Sequence, residues 1–242
     1  MNTYIPHLIE FRKRVIRSII FFLILFFGLF WKDEKLYTFI AKPLLKQLPA
    51  GGQLIATEIT SPFTVPMKLA LVTALILAIP YILYQLWAFV APGLYKQEKK
   101  TILPFLIASI VLFYLGMIFA FYIICPLALG FFTHTAPQGV LVMTDIRYYL
   151  DFILLILFSS GIAFQVPVVT LALIQAGIAT TQQLSYIRPY VIVGAFVLGM
   201  LLTPPDVVSQ ILLALPMWGL FEAGLLLSRY LNPPRQVVSS HN

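Results

Sequence analysis

Six apolar runs divide the chain, and they constrain its fold more than any other feature of the sequence. They cover residues 15–31, 67–90, 102–124, 150–174, 190–202 and 207–227. Only 10% of the 242 residues are charged, whereas about a quarter are charged in a typical soluble domain. Because so few charges cannot cover a soluble surface, we predict an all-α integral membrane protein with six transmembrane helices in a single membrane domain, residues 1–242.

Basic residues collect at the ends of the apolar runs, a pattern that suits anionic lipid headgroups and not nucleic acid. Four basic residues lie at or just before the start of the first run and three in the loop after the second, whereas the turn at Thr203 has none. Since six spans place both termini on one side, the positive-inside rule predicts cytoplasmic termini. The long connection 32–66 then forms a cap on the outer side.

The sequence contains no pattern for a cofactor, a metal site or an enzymatic nucleophile. The one cysteine, Cys125, excludes an internal disulfide, and the three histidines are scattered along the chain. Phosphate-binding glycine loops, GxSxG and HExxH are all missing from the sequence. We therefore expect no cofactor, no metal and no enzymatic activity.

Two carboxylates lie among basic residues on the side predicted to be cytoplasmic. Glu10 precedes Lys13 and Arg14, so it either forms an ion pair along a helix or binds a basic ligand. Glu98 has no basic residue three or four positions later, so it either complements the dipole of the next helix or accepts a bidentate arginine. We predict that these two acids form a docking site for a basic ligand.

Polar residues also occur within and between the later runs. Gln165, two residues before Pro167, either satisfies a neighbouring backbone group or has a functional role inside the membrane. The fifth run is short, with a helical rise of about 20 Å against roughly 30 Å of hydrocarbon, so it should form a stubby hairpin with the sixth run. Asp206 should cap the sixth helix.

Five segments of the chain, taken in order, resemble the TatC family, the signal-binding core of the twin-arginine protein translocase. These segments are HLIEFRKR, KPLLKQLP, ITSPF, ILYQLWAFVAPGLYKQEKK and GMLLTPPDVVSQ. The resemblance covers nearly the whole chain. It implies six helices in a cupped arrangement in the bacterial inner membrane, with cytoplasmic termini and a periplasmic cap over residues 32–66.

The resemblance also implies a function, partners and site residues. It implies binding of paired-arginine signal peptides on folded cargo, work with the single-span subunits TatA and TatB, and assembly into a larger complex. The family's signal-binding positions match Glu10 and Glu98, with Arg12 and Phe89 in the surrounding motif. Structural roles are implied for three further motif positions, Pro43, Asp145 and Asp206. The family often has a glutamate where this chain has Gln165, so a mechanism that needs a titrating carboxylate there is in doubt.

The hairpin of the fifth and sixth runs is our hypothesised docking edge for a partner helix. Its candidate contact residues are Met200, Thr203 and Gln210. The main alternative function is a small secondary transporter. That function would need ionisable residues near the bilayer midplane, where these runs offer mainly amides, and no internal repeat is visible.

Overall fold

A computed structural model describes residues 4–30, 55–94, 102–134, 145–202 and 207–231. The helices are α1 (Tyr4–Leu29), α2 (Ser61–Leu94), α3 (Ile102–Phe119), α4 (Cys125–His134), α5 (Ile146–Ala163), α6 (Val166–Gln175), α7 (Thr181–Tyr186), α8 (Arg188–Leu202) and α9 (Val207–Leu231). A π-helical turn, Ala120–Ile124, joins α3 to α4. One isolated bridge pairs Ile55 with Asp145. The predicted all-α class is confirmed.

Four helical segments are long and apolar enough to cross a bilayer. They are Phe63–Val90, Leu103–Gly130, Ile146–Gln175 and Gln210–Ser228. They coincide with the second, third, fourth and sixth predicted spans. The other two apolar runs lie in α1, whose first half is charged, and in α8, which has 15 residues. The count of six spans therefore stays a prediction.

Helical structure continues through Pro126 to His134, ten residues beyond the end of the third apolar run at residue 124. In a regular α-helix the proline ring clashes with the carbonyl four residues earlier. Here the π-helical turn directly precedes the proline, and the Cys125 N–H donates to the Ala120 carbonyl five residues back. The wider turn accommodates the ring, and the helix continues.

Further boundaries differ from those of the apolar runs. The stretch between the fourth and fifth runs contains a helix, α7, which begins with a capping box. The Gln183 N–H donates to the Thr180 hydroxyl at 3.2 Å, and the Thr180 N–H donates to the Gln183 side chain at 2.9 Å. The fourth run is two helices, since α5 and α6 are separated at Phe164 and Gln165. Both α1 and α2 begin before the apolar runs that they contain.

The core of the described structure is centred on α5. Its residues Leu150, Ile153 and Ile156 are at most 1% exposed and pack against the α3–α4 helix, α2 and α9. Close approach of α3 to α5 depends on Gly116, where an added Cβ would lie 2.6 Å from the Ser160 carbonyl oxygen. On the outside of this core, α1 packs along α2, and α9 packs against α6 and α8.

Candidate functional site

Glu10 forms an ion pair with Arg14 on the first half of α1. Arg14 donates to one oxygen, Oε1, through Nη2 at 2.6 Å and through Nε at 3.1 Å. The four-residue spacing places both side chains on one face of the helix. The Glu10 side chain is 37% exposed, so the pair contributes at most about 0.5 kcal/mol. Of the two partners expected from the sequence, Arg14 is the one that pairs.

A polar network continues from Arg14 into α2. The Arg14 Nη1 group donates to the Gln85 side-chain oxygen at 3.3 Å, and the Gln85 amide donates to the Tyr81 hydroxyl at 2.8 Å. Gln85 is buried, so this network fixes the position of α1 against α2.

Two of the other predicted binding residues lie beside Glu10. The ring of Phe89 on α2 contacts that of Phe11, the residue after Glu10, with centroids 5.3 Å apart. Arg12 is exposed on the same turn of α1. Glu98 lies outside the described residues, as do Pro43, Thr203 and Asp206. The structure thus brings Glu10, Arg12 and Phe89 to one end of the α1–α2 pair.

A groove of about 310 Å³ runs between α1 and α2 from this end. Its lining residues are Phe11, Arg14, Val15, Ser18, Ile19 and Phe22 on α1 and Leu75, Ile82, Gln85, Leu86 and Phe89 on α2. This groove was not predicted from the sequence. The α1 residues do recur at helical spacing, but a groove also requires the facing stripe of α2, and sequence alone does not pair the two stripes.

Gln165 lies at the break between α5 and α6 and is bonded to a neighbouring helix. Its amide donates to the Ser109 carbonyl of α3 at 2.8 Å. The Trp87 indole of α2 donates to the Ser109 hydroxyl at 2.9 Å. The structural interpretation of Gln165 is therefore favoured, since this amide satisfies a backbone group of another helix.

Asp145 joins the start of α5 to the residues before α2. It is the N-cap of α5, accepting from the Arg147 N–H at 2.7 Å, and it also accepts from the Thr57 N–H at 2.9 Å and from the Thr57 hydroxyl. Beside it, Arg147 pairs with Glu58. The Thr57 hydroxyl, followed by the backbone N–H groups, lowers the pKa of Asp145. These contacts agree with a structural role for this motif position.

The predicted docking edge is partly described. Met200 is 60% exposed near the end of α8. The Gln210 amide donates across the hairpin to the Phe196 carbonyl at 2.8 Å.

Two further ion pairs join helices elsewhere: Lys68 pairs with Asp151, and Arg188 pairs with Glu222. Within the described part of the chain, no three His, Cys, Asp or Glu side chains are grouped as metal ligands would be.

Comparison with known proteins gives one consistent family. The family model described as Sec-independent protein translocase protein (TatC) matches residues 6–216. The TatC protein of Escherichia coli K12 is 50% identical over 93% of this chain and 88% of its own length. That of Haemophilus influenzae is 49% identical, with 95% and 90% covered. A crystal structure of a twin arginine translocase receptor TatC matches with a TM-score of 0.82 at 38% identity, covering 93% of this chain and 98% of that one.

Proposed function

The chain belongs to the TatC family of Sec-independent protein translocase proteins, and we propose that it binds the twin-arginine signal peptides of folded proteins at its cytoplasmic face. It is a membrane protein with several apolar helices and a component of a protein translocase, not an enzyme. We further propose that it has six spans in a cupped arrangement in the bacterial inner membrane, with both termini in the cytoplasm. The family favours this function over a small secondary transporter.

The observation that carries the proposal is that Glu10 already holds a guanidinium. Arg14 occupies one carboxylate oxygen, while the other, Oε2, accepts no hydrogen bond from any residue that the structure describes. The carboxylate is also partly exposed, so an incoming arginine can reach it. An arginine of a signal peptide could bind at Oε2 or replace Arg14, with charge-assisted hydrogen bonds in either case.

The second arginine of the signal peptide needs a carboxylate of its own, and we propose that Glu98 binds it. In the sequence Glu98 follows the last residue of α2 by four positions, and Phe89, near the end of α2, contacts Phe11, the residue after Glu10. Arg12 and Phe89 would border the bound peptide. Arg12 lies on the same turn of α1 as Glu10, and Phe89 lies on the facing turn of α2. Arginine is expected to bind better than lysine, because only a guanidinium can form two parallel hydrogen bonds with one carboxylate.

Peptide binding to the detergent-solubilised protein tests this proposal. Glu10→Gln and Glu98→Gln should each weaken binding of a twin-arginine peptide by about tenfold to a hundredfold, as expected for a lost charge-assisted bond. Glu10→Gln should lie at the lower end, because Arg14 competes for that carboxylate. A twin-lysine peptide should bind more weakly to the unchanged protein.

The matched control is Glu58→Gln, which removes a paired carboxylate near the start of α2, the end of that helix remote from Phe89. It should leave peptide affinity unchanged. Equal peptide affinity in the unchanged protein and in the two glutamate variants would contradict the proposal.

We also propose that the α8–α9 hairpin docks the single-span subunits TatA and TatB through Met200, Thr203 and Gln210. The 15 residues of α8 rise only about 22 Å, so the bilayer beside it must thin or be replaced by a partner helix. Met200→Cys should cross-link to these subunits in membranes. Ile107→Cys, on α3, is the control because this residue is also more than half exposed. Cross-links found only at Ile107 would contradict the docking edge.

A further inference from the structure

We propose that the groove between α1 and α2 binds an anionic phospholipid, with an acyl chain in the groove and the phosphate on Arg14. The groove extends from Phe11 and Phe89 at one end to Phe22 and Leu75 at the other. Phe22 lies eleven residues after Phe11, which corresponds to about 16 Å along the helix axis. The groove is therefore long and narrow, the shape of an extended hydrocarbon chain.

The walls of the groove favour hydrocarbon over a polar ligand. Its polar side chains are already bonded within the protein: the Ser18 hydroxyl donates to the Arg14 carbonyl at 3.0 Å, and Gln85 bonds Arg14 and Tyr81. Along its length, Ile19 and Leu86 are about half exposed, so the groove opens to the outside of the helix pair. In a membrane, that opening faces lipid.

Charge at one end of the groove selects an anionic headgroup. Residues 10–17 of α1 carry four cations, including Arg12, Arg14 and Arg17, and one carboxylate, Glu10. Arg14 lines the groove itself. Arg12 lies three residues before Val15 and borders the groove, whereas Arg17 projects from the opposite side of the helix. A phosphate is thus attracted to this end, and basic juxtamembrane segments bind anionic lipids in the same way.

The lipid would also change the binding site for peptides, a consequence that rests on the proposed function. Arg14 now neutralises Glu10. A phosphate offers Arg14 another strong acceptor. When Arg14 turns to the phosphate, both oxygens of Glu10 become available to an arginine of a signal peptide.

Lipid retention by the purified full-length chain tests the site without any peptide. The probes are dioleoyl-phosphatidylglycerol, dioleoyl-phosphatidylcholine and inorganic phosphate, added to delipidated protein and measured by native mass spectrometry. We expect phosphatidylglycerol to bind about tenfold more tightly than phosphatidylcholine, with no retention of phosphate alone. Arg14→Gln, which removes the phosphate ligand, and Ser18→Phe, which fills the groove, should each weaken phosphatidylglycerol binding about tenfold.

Two matched variants serve as controls. Arg17→Gln removes the same charge, and Ile16→Phe adds the same ring, both away from the groove, and both should bind phosphatidylglycerol like the unchanged protein. Equal binding of the two lipids, or an Arg17→Gln loss as large as that of Arg14→Gln, would overturn the proposal. The proposal would also be overturned if Ser18→Phe lost binding of the twin-arginine peptide but still bound phosphatidylglycerol. The groove would then hold the apolar part of the peptide.

The consequence for Glu10 is tested in nanodiscs of each lipid. Peptide affinity should be higher in phosphatidylglycerol than in phosphatidylcholine, and Arg14→Gln should reduce this difference because its Glu10 is free in both lipids. If the two lipids changed peptide affinity equally in Arg14→Gln and in the unchanged protein, the lipid would not act by releasing Glu10 from Arg14. Absence of peptide binding in both lipids would contradict the proposed function, while lipid retention would still decide the lipid site.

Discussion

Ser109 of α3 accepts hydrogen bonds from Gln165, at the break between α5 and α6, and from Trp87 of α2. The Gln165 amide donates to the Ser109 carbonyl, while Trp87 donates to the Ser109 hydroxyl. Ser109 is 1% exposed, so water cannot replace these bonds. An amide suits this position because it can donate to a carbonyl, whereas an ionised carboxylate can only accept.

We therefore predict that Gln165→Glu destabilises the protein by about 1 kcal/mol, the size of an interhelical hydrogen bond in a membrane protein. The loss should shrink as the pH is lowered, because a protonated carboxyl group can donate to Ser109. Unfolding in mixed micelles at several pH values measures this. Gln182→Glu, on an exposed face of α7, is the control. A pH-independent loss in Gln165→Glu would contradict the hydrogen bond as its cause.

The residue types at Glu10 and Gln165 were informative in the sequence, but their partners were not. Arg14 was one of two possible partners of Glu10, and geometry on the helix did not separate it from Lys13. Its additional bond to Gln85 depends on α2 lying beside α1. Ser109 was not singled out in the sequence, because a serine inside an apolar run gives no signal of the helix that it faces.

At the scale of elements, glycines set how closely the helices of the core approach. An added Cβ at Gly116 would lie 2.6 Å from the Ser160 carbonyl oxygen and 2.8 Å from Cγ of Phe164. The Ser160 hydroxyl in turn donates to the Gly116 carbonyl at 2.8 Å. This close approach places α3 directly against α5.

Gly116→Ala should therefore lower the free energy of unfolding by about 1–3 kcal/mol, since α3 and α5 must separate to admit the methyl group. Gly194→Ala on α8 is the matched control, because no atom outside the adjacent backbone of α8 and the two neighbouring residues lies within 4 Å of the added Cβ. It should be neutral or stabilising by up to about 1 kcal/mol, as for alanine replacing glycine within a helix. Equal stability of the two variants would show that α3 and α5 are not held at this distance.

The connection between Thr57 and Asp145 should depend on pH. Hydrogen bonds from Thr57 lower the pKa of Asp145 below its ordinary value of 3.8. A carboxylate whose pKa is lowered by folding stabilises the folded state above that ordinary value, and the contribution is lost as the pH falls through the lowered pKa. Protection factors of the Thr57 and Ile146 amides, which correct for the intrinsic pH dependence of exchange, should therefore fall below the ordinary value, and in Asp145→Asn they should be low at every pH. Protection factors in the unchanged protein that do not change with pH would contradict this.

Several elements were predictable from local sequence, and others were not. The apolar runs located α2, α3, α5, α6, α8 and α9. The capping box of α7 was also present in the sequence, as Thr180 and Gln183 at the required spacing, although the sequence analysis predicted no helix there. The π-helical turn before Pro126 carries no comparable signal, because its backbone geometry depends on packing of Ala120 and Ile124 in the core.

At the scale of the whole molecule, the proposed binding residues and the Asp145 connection lie at opposite ends of α2. Phe89 contacts α1 near the end of this helix, whereas Glu58 and Thr57 directly precede its start. From Ser61 to Phe89 the helix rises about 42 Å, more than the hydrocarbon thickness of a bilayer. This separation agrees with a receptor site on one membrane face and a structural connection on the other.

A double-mutant cycle between the protein and the peptide tests the central claim most directly. Dissociation constants are measured for Glu10→Gln, Glu98→Gln and the unchanged protein, each with the twin-arginine peptide and with peptides in which one arginine is glutamine. If an arginine binds a given carboxylate, losing both should cost less than the sum of the two single losses, by about 1 kcal/mol or more. We predict such coupling for one arginine with Glu10 and for the other with Glu98. Strictly additive losses at both carboxylates would contradict the claim that these acids bind the paired arginines.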